Sequence, residues 1–110
     1  MSGQDLMLAM QTNINMLNAA QKEFGGRGRT WAAAEREYRI ALAKKILIER
    51  DKGMPVSIIS DVCRGDREIA ELKFKRDCAE VVYKSAMEAI NGYKLQIKVL
   101  ENQIDREWRG

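Results

Sequence analysis

A chain of 110 residues, 45% hydrophobic and 32% charged, with one proline and a net charge of +3, supplies material for one domain made of long amphipathic helices. Both signs of charge are mixed at an ordinary surface density, so the balance alone does not call for nucleic acid. Two cysteines without a single histidine do not complete a tetrahedral zinc site, and the usual general base is missing, so no metal, no cofactor and no enzyme is expected.

The first stretch, MSGQDLMLAMQTNINML, has neither a basic start nor a long apolar run, and no segment reaches the ~20 apolar residues of a membrane span. The expectation is a cytoplasmic chain with reduced thiols. Met7, Met10, Ile14, Leu17 and Phe24 recur at helical spacing, with Gln21 at the missing step, and predict a first helix over residues 3–24. GGRGR follows. Three glycines within four residues cost roughly 1 kcal/mol each inside a helix and predict a break. The same segment lacks the G-x-x-x-x-G-K-[ST] spacing and the preceding strand of a phosphate loop.

Thr30 is then an N-cap for a second helix over residues 30–52, stopped by Gly53. Residues 25–53 carry a net +4, the only basic excess in the chain. Trp31, Ala34, Tyr38, Leu42 and Ile46 form its main face; Ile40, Ala43 and Leu47 lie more than 90° away on a second face. The next connection is unexpectedly apolar. Pro55 prevents resumption of the second helix and suits the start of a short one over residues 56–63. Its Val56, Ile58, Ile59 and Val62 spread over about 200° of a helix at 100° per residue. A narrow hairpin end cannot cover them all, so they are candidate partner-binding residues, Ile58 foremost, set against the plainer role of plugging the end of a bundle.

Gly65 ends the short helix and Asp66 caps the next. Ile69, Leu72, Arg76, Ala79, Tyr83, Ala86, Ile90, Tyr93, Ile97, Leu100 and Ile104 then alternate at gaps of 3 and 4 over five heptads. They predict one helix over residues 66–108, roughly 64 Å long at 1.5 Å per residue. A compact domain of this size spans roughly 34 Å. The predicted fold is therefore all-α: an elongated antiparallel helical hairpin or coiled coil, a single helical domain with one very long C-terminal helix. The first two helices either line that helix end to end or fold back at the glycines into a three-helix bundle. Phe74, Cys78, Val81, Ser85 and Val99 sit off its seam, and second faces on both long helices predict self-association into a homo-oligomer.

Arg76 is the one polar seam residue; its stem packs while its head reaches Asp77, Glu80 or a partner carboxylate, a device that fixes register. Lys73, Lys75 and Arg76 also make a candidate basic contact patch. They support a rival reading in which PVSIISDVCRGDREIAELKFKR is a helix-turn-helix. Against it, Asp61 stands where a small residue is wanted, and Arg64 and Asp66 flank the turn where apolar residues pack. Trp31 belongs to no W-x-G hairpin turn.

EREYRIALAKKILIERDKGMPVSIISDVCRGDREIAELKFKRDCAEVVYKSAMEAINGYKLQIKVLENQIDREW resembles small uncharacterised helical proteins of Firmicute phages and prophages, over residues 31–108 and in overall pattern. Such proteins typically lie among early recombination and replication genes. The recombination directionality factors of large serine integrases share that size and setting. The resemblance implies a non-catalytic, phage-derived regulator that works through protein–protein coiled-coil contacts, sharpest as control of DNA recombination by an integrase. Two alternatives share parts of its logic: a nucleic-acid-binding accessory protein of phage recombination or replication, and an inhibitor of a host nuclease or defence complex.

Overall fold

The computed structural model describes residues 2–109, and among them there are helices and no strand. Three helices follow one another: α1 over Gly3–Asp51, α2 over Val56–Arg64 and α3 over Arg67–Arg109. The long C-terminal helix, the short tip helix and the all-α class are as the sequence predicts. The break at GGRGR is not. α1 passes through Gly25, Gly26 and Gly28 without interruption, and among the described residues only Gly53 has a positive φ.

The reason lies in the heptad frame. Leu6, Met10, Asn13, Leu17, Ala20, Phe24, Arg27, Trp31, Ala34, Tyr38, Ala41 and Lys45 alternate at gaps of 4 and 3, and all are buried or half-buried. Phe24 and Trp31 are seven residues apart, so the same face continues across the glycines in phase. The roughly 3 kcal/mol that three helical glycines cost is opposed by the packing of Phe24 and Trp31, both half-buried on that one face. The predicted seam of the first helix also turns by one position at every second step. Leu6, Asn13 and Ala20 face inward, whereas Met7, Ile14 and Gln21 are exposed. Asn13 tolerates this because its Nδ2 donates to the Ala9 carbonyl at 2.9 Å, satisfying its amide within the helix.

On α3 the seam falls as predicted. All eleven positions from Ile69 to Ile104 are buried or half-buried, and apart from half-buried Asp77 and Glu80 the rest of that helix is exposed.

The chain divides into two compact units that share both long helices: Met1–Gly26 with Tyr83–Gly110, and Arg27–Val82. In the first, hereafter the terminal unit, the start of α1 pairs antiparallel with the end of α3. Phe24 stacks on Tyr83 with ring centroids 4.6 Å apart and planes 25° apart, and Gly3 lies beside Glu107. Its buried apolar residues are Leu6 and Ile90.

The second, the tip unit, is a three-helix arrangement whose buried apolar residues are Ala34, Tyr38, Ile59, Cys63 and Ile69. α1 ends here in a Schellman motif: the Gly53 N–H donates to the Arg50 carbonyl and the Met54 N–H to the Glu49 carbonyl, each at 3.0 Å. That geometry needs the left-handed φ of 93° which glycine adopts freely. Pro55 is the N-cap of α2, and its carbonyl accepts from the Ile58 and Ile59 N–H groups. Gly65 caps the other end in a right-handed conformation. Asp66 Oδ2 then accepts from the Ile69 N–H at 3.4 Å and starts α3.

Candidate interaction surface

In the tip unit, α2 buries Ile59 and Cys63, four residues apart, and leaves Val56, Ile58 and Val62 exposed. Of the four candidate residues, Ile59 is therefore core, because it faces the same way as Cys63. Ile58 and Val62 are also four apart and form an apolar pair on the opposite side of the short helix. The end of the hairpin is plugged and still presents apolar surface.

α3 carries two opposed faces within this unit. Ile69, Leu72 and Ala79 turn toward α1, while Phe74 and Val81, one heptad apart, are 65% and 63% exposed, with exposed Cys78 between them. α1 has a matching spare stripe in exposed Ile40, Ala43 and Leu47. Ile40, Ala41, Ile48, Ile69 and Leu72 line a groove of about 470 Å³ together with Glu37, Lys44, Lys45, Asp66 and Glu68. Apolar side chains interleaved with charges of both signs are the chemistry that receives an amphipathic helix.

The electrostatics of the unit centre on Arg76. Its Nη1 donates to Glu35 Oε2 at 3.1 Å across the helix pair, and its Nε and Nη2 donate to Asp77 Oδ1 at 3.0 and 2.8 Å. The guanidinium lies 4.7 Å from the centroid of the buried Tyr38 ring. Arg39 Nε completes the cluster with a 2.6 Å bond to Glu35 Oε1. Hydrogen bonding from Arg39, joined by Arg76, holds the Glu35 carboxyl below the usual carboxylate range despite its partial desolvation. Arg76 is shifted upward, chiefly by its bonds to Asp77.

This arrangement breaks up the predicted basic patch. Arg76 is turned into the seam and saturated by carboxylates. Lys73 and Lys75 are exposed, but at 100° per residue they lie on opposite flanks of α3. A second ion pair, Lys45 Nζ to Asp66 Oδ1 at 3.8 Å, links α1 to the cap of α3. Lys45 is raised above its usual value, first by its bond to Glu49 and then by Asp66. These cross-helix charges were not legible one helix at a time, because Glu35 and Arg76 are 41 residues apart in sequence.

No helix of the described residues is long and apolar enough to cross a membrane. Comparison with known proteins adds no family: no family model matches the chain, and no curated protein or solved structure is similar to it.

Proposed function

We propose that this chain is a non-catalytic regulator that acts by docking its tip unit onto a helical segment of another protein. The observation that carries this reading is the pair of unpartnered apolar surfaces on that unit: the groove lined by Ile40 and Ile48, and the stripe of Phe74 and Val81. Large apolar side chains held open on a framework of ion pairs mark partner sites in soluble proteins. The tip residues Val56, Ile58 and Val62 extend the same apolar character to the end of the hairpin.

In its sharpest form, the partner is a phage serine integrase and the consequence is a change in the direction of recombination. Large serine integrases carry a mobile coiled-coil arm, and a helical groove suits such an arm. A regulator needs only differential affinity for two integrase states, a few kcal/mol in all. The inward turn of Arg76 weighs against the nucleic-acid reading, since a phosphate would have to compete with Glu35 and Asp77 for it.

The test is a recombination reaction containing a large phage serine integrase, with insertion and excision substrates in separate tubes. Added protein should favour excision and suppress insertion, and Phe74→Ser with Ile40→Ser should abolish that switch while leaving helix content unchanged. If wild-type protein leaves both directions untouched, the integrase assignment fails. If it acts equally well after the substitutions, the tip-unit surface fails.

A further inference from the structure

The start of α1 has a property that the tip unit lacks. Residues 6–21, LMLAMQTNINMLNAAQ, contain no charged side chain in a chain that is 32% charged. At 1.5 Å per residue this is roughly 24 Å of helix, more than four turns. One face, through Leu6, Met10, Asn13 and Leu17, packs toward α3. The remainder is open: Met7 is 56% exposed and Leu8 63%, and Met16 and Ile14 are exposed as well. Between them lie Gln11, Asn15 and Asn18, and the Gln11 amide donates to Asn15 Oδ1 at 2.9 Å.

A solvated helix face of this length ordinarily carries several charges. Here the polar positions are filled with amides, which hydrogen-bond without the desolvation penalty of an ion. Depletion of charge together with enrichment in Met is the composition of an interface core. The terminal unit also has little core of its own. Leu6 and Ile90 are its only buried apolar residues among those described.

We propose that the terminal unit associates with a second copy of this chain through the charge-free face of α1. Two arguments select a second copy over another partner. The α1 face is electrically neutral, so like meets like without repulsion. The area is also of the right order. One helix pair 24 Å long is too small for a stable interface of roughly 800 Å² per partner, but two hairpins laid face to face, each contributing α1 and α3, approach it. The proposal is independent of the tip-unit reading, since it uses none of the same residues.

The test is the mass of the full chain in solution. Sedimentation equilibrium at about 100 µM should give twice the 12.6 kDa of one chain. The double variant Met7→Lys, Ile14→Lys should give the mass of one, with an unchanged helical spectrum at low temperature. Phe74→Lys in the tip unit should leave the dimer intact. For the unmodified chain, a hundredfold rise in concentration should raise Tm by roughly 5 °C or more, because only the folded state associates. That measurement stands even where the charged variant fails to fold. A monomer at 100 µM, a dimer insensitive to the paired lysines, or a Tm independent of concentration would each overturn the proposal.

Discussion

The two units are built from the same two helices and differ in how each hides its apolar surface. The tip unit has a third element, α2, which inserts Ile59 and Cys63 over the end of the pair, and it is tied by cross-helix bonds from Arg76 to Glu35 and from Lys45 to Asp66. The terminal unit has a stacked aromatic pair, Phe24 on Tyr83, and two buried aliphatic residues. Its α1 face is neutral where the tip unit is charged. The lesson is that an unbroken heptad seam sets which residues face inward, but does not by itself close a core. A third layer is needed, supplied internally in one unit and, as proposed, by a second chain in the other.

The largest effect should come from placing a charge in the sparser core. Ile90→Asp buries an unpaired carboxylate and should cost roughly 3–5 kcal/mol, melting the terminal unit and dissociating the dimer while tip-unit helices persist. Circular dichroism with a mass measurement checks both parts. An unchanged Tm and mass would mean that Ile90 is not in the seam that holds the unit together.

Next in size is Ile59→Ala, which removes the α2 plug and should destabilise the tip unit by roughly 2–4 kcal/mol. A urea titration would detect it. The mass should not change, in contrast to Ile90→Asp.

Arg76→Lys should cost roughly 1–2 kcal/mol, because an ammonium cannot bridge Glu35 and Asp77 with the geometry of a guanidinium fork. The same cluster makes the tip unit acid-sensitive. Glu35 has a folded pKa depressed below its usual 4.5, so its stabilising share is present above that value and disappears as pH falls through the folded pKa. Melting curves between pH 5 and pH 2 should therefore steepen their loss in wild type and flatten in Glu35→Gln. Equal slopes would show that the carboxylate contributes nothing.

The smallest effect is a gain. Gly25 is exposed within α1, and Gly25→Ala should stabilise by roughly 0.5–1 kcal/mol if the helix is continuous there. A loss instead would place Gly25 outside a regular helix.

How much of this was readable without coordinates depended on the range of the interaction. The α3 seam was legible because eleven positions obey one alternation inside one helix. The ends of α2 were legible because Gly53, Pro55, Gly65 and Asp66 act on their immediate neighbours. The course of α1 through GGRGR does not follow from local glycine cost alone; the seven-residue step from Phe24 to Trp31 carries the contrary signal. The inward Asn13 was hidden because its amide is satisfied by its own helix. The partners of Arg76 were half legible, Asp77 being adjacent in sequence and Glu35 distant.

Residue-resolved hydrogen exchange of the full chain, at about 1 µM and again at about 100 µM, tests the contrast between the units most directly. The account predicts that at the low concentration the slowest amides lie within residues 27–82 and exceed those of residues 6–21 in protection by at least about tenfold, a difference of roughly 1.4 kcal/mol in local opening. At the high concentration residues 6–21 should close most of that gap while the tip unit stays the same. Equal protection of the two units at 1 µM, unmoved by concentration, would contradict it.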